Sequence, residues 1–99
     1  MSKRKIVWDK KAILYFSEAI LYIRKDSPQN AEKVKKEILR QVNELANKPE
    51  MFNPDKYKST NAGNYRAFEL HRFRVSYLVK EKEIIIARIR HTSQEPLNY

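Results

Sequence analysis

The sequence predicts an α+β domain of two layers, ordered strand, helix, helix and then three strands. In this βααβββ arrangement a helical hairpin packs on one face of a mostly antiparallel four-stranded sheet. Three observations carry that expectation. Residues 64–91 hold three runs rich in β-branched and aromatic residues, Tyr65–Leu70, Phe73–Val79 and Ile84–Ile89. Their connections, His71-Arg72 and Lys80–Glu83, are too short for helices, so the runs form a meander. Upstream, apolar residues recur at helical period over two stretches separated by a Ser-Pro break. Finally, 99 residues with 41% apolar content make one core, so residues 1–99 are expected to form a single domain.

The elements follow in order. Ile6-Val7-Trp8 is a short apolar run after a basic tip and reads as the first strand. Asp9 can accept from the first free N–H groups of the next segment, and Trp8 and Ile13 have the spacing of a hydrophobic staple. From Lys10 to about Arg24, Ala12, Tyr15, Phe16, Ala19, Ile20 and Ile23 make one stripe. On this reading Tyr15, Phe16 and Tyr22 belong to the core. Ser27 is a natural N-cap with Pro28 at the first helical position, where its missing N–H costs nothing. The second helix then runs to about Asn47, with Ala31, Val34, Ile38, Val42 and Leu45 on one side. Its other side pairs Glu32 with Lys36, Lys33 with Glu37 and Arg40 with Glu44, ordinary solvated contacts of a few tenths of a kcal/mol. Asn47 through Gly63, with Pro49, Pro54 and the only glycine, is the one long loop. Its Lys56, Tyr57 and Lys58 are equally compatible with a functional segment and with a merely mobile one.

Composition narrows the function. With 21 Lys and Arg against 12 Asp and Glu, the net charge of +9 points to a polyanionic partner: nucleic acid, a ribosome or an acidic protein. There is no cysteine, which agrees with a reducing compartment. No apolar run approaches the roughly 18–20 residues that span a bilayer, and the basic start lacks a signal-peptide core, so a cytoplasmic protein without membrane partners is expected. Two histidines twenty residues apart show no ligand pattern, and neither a metal nor another cofactor is expected.

Strand alternation sorts the meander's side chains. In the middle strand Phe73, Val75, Tyr77 and Val79 share a face opposite Arg74, Ser76, Leu78 and Lys80. In the last, Ile85, Ala87 and Ile89 oppose Ile84, Ile86, Arg88 and Arg90. The more apolar sets should meet the helices. Two helices cover one side of the sheet, and no element remains to cover the other, so Arg74, Arg88 and Arg90 are expected to look outward together. In the strand before, Phe68 and Leu70 point inward and Glu69 outward. Arg66 then nominally points inward, which predicts a bulge or twist near it. Parity also places His91 inward, at the strand end.

These residues resemble the RelE/ParE superfamily of bacterial toxins. The likeness rests on the element order, on the arginine in the YRAFEL strand, on Phe73-Arg74-Val75-Ser76-Tyr77, and on Arg88-Ile89-Arg90-His91 closing the last strand. It covers nearly the whole chain. The resemblance implies the toxin half of a type II toxin–antitoxin module. The expected partner is a cognate antitoxin whose acidic, partly disordered segment wraps the toxin, with operator DNA reached only through that antitoxin. Two activities occur in such toxins: metal-free cleavage of mRNA at the ribosomal A site, and poisoning of DNA gyrase by contact.

Cleavage needs a base, an acid and cations over the charged phosphorane. By resemblance, Arg74 would stabilise the phosphate and His91 would act as acid or base. Glu69 is a candidate base, Arg66 and Arg90 are supporting cations, and Tyr99 is a stacking or proton-donating aromatic. Lys56, Lys58, Arg72 and Arg88 would contact the nucleic acid. The bland alternatives are a His91 that caps its strand, a Glu69 that pairs with a neighbouring arginine, and a His71 that sits at the surface of a turn. A second lysine of the RelE type is replaced by Phe68, and the ending His91-Thr92-Ser93-Gln94-Glu95-Pro96 is closer to ParE-like chains. The expectation is therefore a ribosome-associated mRNA endoribonuclease, with a ParE-like gyrase inhibitor as the alternative.

Overall fold

The computed structural model describes residues 3–94 and 99. Its elements are β1 (Lys5–Trp8), α1 (Lys10–Asp26), α2 (Pro28–Glu44), β2 (Tyr65–Leu70), β3 (Phe73–Val79) and β4 (Glu83–His91), followed by a 3-10 turn at Thr92–Gln94. Both helix starts are capped by the expected residues. Asp9 accepts from the Lys11 N–H at 2.9 Å, and Ser27 accepts from the Asn30 N–H at 3.1 Å with Pro28 behind it. The Ser27 N–H also closes α1 on the Ile23 carbonyl, so one residue ends one helix and starts the next. Trp8 stacks on Phe16 at 5.7 Å, and Ile13, its expected staple partner, is 46% exposed.

The sheet runs β1-β4-β3-β2, with β1 parallel to β4 and the other pairs antiparallel. The core lies between the sheet and the helices. Ala12, Phe16 and Ile20 of α1 and Ala31, Val34, Ile38 and Val42 of α2 meet Phe68, Phe73, Val75, Tyr77, Ile84, Ile86 and Ile89. Tyr22, assigned to the core from its spacing, is 69% exposed. It stands on the outer side of α1.

Strict alternation fails in β4, and the reason is a bulge. Ser76 faces Arg88 but Tyr77 faces Ile86, which leaves Ala87 as an extra residue. Ile84 and Ile86 before the bulge and Ile89 after it therefore all face the helices and are buried, whereas Ile85 and Ala87 are only half-buried. The expected irregularity thus lies in β4 and not near Arg66, where β2 pairs with β3 in unbroken register. Arg66 does point to the helix side, as Tyr77 opposite it does. Its guanidinium escapes burial without a partner by donating to the Phe52 carbonyl at 2.6 Å, with Glu50 at 3.6 Å. Beside it the Tyr77 hydroxyl donates to the Pro49 carbonyl at 3.0 Å, and burial pushes its pKa up to about 12.

Candidate functional site: the arginine face and its cover

The sheet face away from the helices is covered in part, around Arg74. The long loop folds back over it. Residues 53–55 run beside β2, bonded through Ala67 N–H to Asn53 O at 3.2 Å, Asp55 N–H to Tyr65 O at 2.8 Å, and a bridge between Pro54 and Arg66. Asn61 pins the far side of the loop. Its amide donates to the carbonyls of Asp55 and Tyr65 at 3.2 and 2.9 Å, and its carbonyl oxygen accepts from the N–H groups of Gly63 and Tyr65. Gly63, at φ +103°, supplies the left-handed residue this return needs.

Asp55 is thereby driven onto Arg74. The Arg74 guanidinium donates to Asp55 Oδ1 at 2.9 Å and to Glu69 Oε2 at 2.8 Å, and lies over the Tyr57 ring at 4.7 Å. The side chain of Asp55 is fully buried and that of Arg74 is 10% exposed. Burial pushes the Asp55 carboxyl up. Hydrogen bonds from Tyr99, Arg74 and Ser76 outweigh burial and hold it below the ordinary aspartate value. Burial likewise opposes charge on Arg74, and the hydrogen bonds to Asp55 and Glu69 outweigh it and raise its pKa.

Tyr99 completes the cover. Its hydroxyl donates to Asp55 Oδ2, its N–H donates to the Tyr57 carbonyl at 2.9 Å, and its carbonyl accepts from the Ser59 N–H. The ring sits against the Arg88 guanidinium at 4.3 Å and Lys58 Nζ at 5.3 Å, with Tyr65 edge-on at 6.3 Å. Burial, and secondarily its bond to Asp55, push the Tyr99 hydroxyl pKa up, so it is a donor here.

The expected site residues divide accordingly. Arg74, Glu69, Arg88, Lys58 and Tyr99 do gather, but around a carboxylate that sequence reasoning missed, with both terminal nitrogens of Arg74 engaged and its Nε buried without a hydrogen-bond partner. Arg74 was expected to look outward; it is sealed. Arg90 faces Arg74 in register, but its guanidinium lies 5.6 Å from the ring of Tyr15 on α1. Beyond Ile86 no β1 residue pairs with β4, so α1 lies beside that edge and Arg90 reaches it. Arg66 is on the helix side with Phe52. Lys56 lies 5.2 Å from the Tyr57 ring but is otherwise exposed, as is Arg72.

His91 belongs to the other side. Its register partner is Phe73, a core residue, whose ring it meets edge-on at 5.4 Å. Nδ1 accepts from the Ser93 N–H at 3.2 Å and lies 2.8 Å from its hydroxyl, which places the ring proton of the neutral form on Nε2. Its backbone N–H donates to the Tyr15 hydroxyl at 3.0 Å. His91 and His71 line a groove of about 780 Å3 between α1, α2 and the strand ends. His71 is not a free surface residue: its Nε2 lies 2.6 Å from Glu37 Oε1, and this contact, more than Lys33 or Arg40, lowers the Glu37 pKa. Among the described residues, no cluster of His, Cys, Asp and Glu could hold a metal. Among the same residues no helix is long and apolar enough to cross a membrane.

A helical hairpin on one side of a four-stranded mixed sheet, entered by a parallel first strand and closed by an antiparallel meander, defines the RelE/ParE class of toxin folds. The fold matches that of a solved chain described as belonging to the chromosomal ParDE TA system from P. aeruginosa. The TM-score is 0.69 at 24% identity, over 90% of this chain and 96% of that one. The sequence model described as "ParE toxin of type II toxin-antitoxin system, parDE" matches residues 6–96, and the chain belongs to that family. Among curated proteins no significant match is found.

Proposed function

We infer that this toxin arrests growth by binding DNA gyrase, without cleaving RNA, and that a cognate antitoxin with an acidic, partly disordered segment neutralises it. Operator DNA is then reached only through the antitoxin. One observation carries the reading. Arg74 is buried, with its two terminal nitrogens committed to Asp55 and Glu69, while His91 faces the helix side of the sheet. Phosphate clamp and proton donor thus do not share a cleft, and metal-free cleavage needs both at one scissile bond. Glu69, half-exposed, is paired with Arg74 through one oxygen, and Tyr99 donates to a buried carboxylate. The match to the ParE family supports the same target.

The test is a supercoiling assay with purified gyrase and this protein, in the absence of ribosomes. Supercoiling is expected to fail, and His91→Ala is expected to inhibit as well as the parent. On induction, sequencing of RNA 5′ ends should show intact messages. Cuts across translated messages that disappear in His91→Ala would overturn the reading and restore the endoribonuclease expectation.

A further inference from the structure

Strand β4 outruns its neighbour. β1 pairs with it only from Glu83 to Ile86, and beyond that point the β4 edge runs beside the start of α1. Between them lies a cavity of about 300 Å3, lined by Asp9, Lys11 and Tyr15 on the helix side and by Arg88 and Arg90 on the strand side. That volume is at the lower end of what small-ligand sites offer.

Arg90 is the group this cavity leaves uncompensated. It stands opposite Arg74 in register, and like charges directly opposite across two strands repel. Arg74 is neutralised by Asp55 and Glu69. Among the described residues no carboxylate lies within ion-pair distance of Arg90, whose guanidinium rests 5.6 Å from the Tyr15 ring. Its Nε is buried without a hydrogen-bond partner, and a buried charged donor without an acceptor is costly. Its terminal nitrogens make no hydrogen bond among the described residues and are not buried. They are therefore the donors through which an acceptor could compensate this head.

The rest of the lining has the same sign. Lys11 is exposed and makes no ion pair among the described residues. Arg88 lies against the Tyr99 ring and adds its charge from the neighbouring position on the same face. Asp9 is the one carboxylate of the lining, and its Oδ1 already accepts from the Lys11 N–H. Three cations against one carboxylate leave a net charge of +2 around the space. A phosphate monoester, with a charge of about −2 at neutral pH, matches that surplus, whereas a phosphodiester or a carboxylate brings about half of it.

We propose that this cavity binds a phosphate monoester, whose phosphoryl oxygens accept from the terminal nitrogens of Arg90 and from the Lys11 ammonium. The Tyr15 ring backs the guanidinium and holds it in place. The shared chemistry is a terminal phosphate, carried either by a free nucleotide or by the end of a nucleic-acid strand. The site lies apart from the groove of His71 and His91, and its test does not depend on the toxin's target.

The whole chain is titrated at low salt with thymidine 5′-monophosphate, with acetate, and with a short oligothymidylate with and without a 5′-phosphate. Calorimetry gives the affinity, and the guanidinium nitrogen resonances of Arg90 locate the contact. Thymidine monophosphate is expected to shift those resonances saturably, with a Kd of about 1 mM or tighter. Arg90→Gln should weaken binding at least about tenfold and Lys11→Gln at least about threefold, both with the parent's melting temperature. Lys10→Gln, outside the lining, should change nothing. A phosphorylated oligonucleotide that binds more tightly than the monophosphate assigns the site to a strand end, and one that binds no more tightly assigns it to a free nucleotide. A monophosphate Kd weaker than about 1 mM, equal affinity in parent and Arg90→Gln, or acetate binding as tightly as the monophosphate would overturn the proposal. So would an unphosphorylated oligonucleotide that binds as tightly as the phosphorylated one, or a loss in Lys10→Gln equal to that in Lys11→Gln, since either marks diffuse surface charge.

Discussion

Asp55→Asn isolates the contact on which the covered face depends. The carboxylate is fully buried and meets Arg74 at 2.9 Å, so the substitution leaves a guanidinium that is itself only 10% exposed with Glu69 as its remaining ionic partner. Removing one member of a buried pair costs about 3–5 kcal/mol. Because Glu69 stays at 2.8 Å, the low end, about 3 kcal/mol, is expected. For a chain of this size that lowers the melting temperature by roughly 12–24 °C. Circular dichroism melts of Asp55→Asn, Arg74→Met and the double variant provide the assay. The double variant should be milder than the sum of the singles by at least about 1.5 kcal/mol, since neither charge is then stranded. A loss below about 3 °C for Asp55→Asn, or single costs that add to within about 0.5 kcal/mol, would refute the buried-pair argument.

Asp55 also sets an acid limit. A carboxyl held below its unfolded value stabilises fully above about pH 4 and loses that contribution as pH falls through its lower folded value, so the parent should lose stability below about pH 4 and Asp55→Asn should lose less, read as urea midpoints against pH. His71 and Arg72 form the β2–β3 turn with φ of 52° and 66°, which non-glycine residues resist. Arg72→Gly keeps the backbone bond from the Thr92 N–H and should stabilise by about 1 kcal/mol in urea titration; a loss would mean the side chain anchors the turn. Tyr77→Phe deletes a buried hydrogen bond to the Pro49 carbonyl and should cost about 1 kcal/mol in the same titration. His91→Ala leaves the Tyr15 bond to its backbone intact and should keep both fold and gyrase inhibition, measured by melting and supercoiling.

Much of the architecture was readable because its signals are local. Asp9 and Ser27-Pro28 announce the helix starts through side-chain and ring chemistry that acts within three residues. The limits Tyr65–Leu70 and Phe73–Val79 coincide with β2 and β3 because His71-Arg72 leaves room for nothing but a turn. What could not be read is non-local. The bulge at Ala87 leaves no mark such as glycine or proline, so strict alternation assigned Ile84 and Ile86 to the wrong face. The cover depends on Asp55 finding Arg74 across 19 positions and Tyr99 across 44, distances over which no spacing rule operates. A signal was present nonetheless. One acid sits among Pro54, Lys56, Tyr57 and Lys58 in a loop rich in turn residues, opposite an arginine strand that needs an anion.

The seal over Arg74 changes what the net charge of +9 means. Read from composition alone, the excess belonged to the arginine sheet and pointed to phosphate. Residues 1–48, which hold β1 and both helices, carry twelve of the 21 basic residues against six of the 12 acidic ones, a surplus of +6. Residues 49–99 carry nine against six, a surplus of +3, and there Arg74 is consumed by two carboxylates while Arg88 and Lys58 lie against tyrosine rings. Of that surplus of +6, α1 carries four basic residues against two acidic ones and α2 four against three, with the rest at Lys3, Arg4 and Lys5 before Asp9 and at Lys48. A cationic surface interrupted by apolar residues recognises acidic protein better than bare phosphate, because both terms of the contact are then complemented. The arginine sheet, with Arg74 held between Asp55 and Glu69, contributes the frame on which the helices pack.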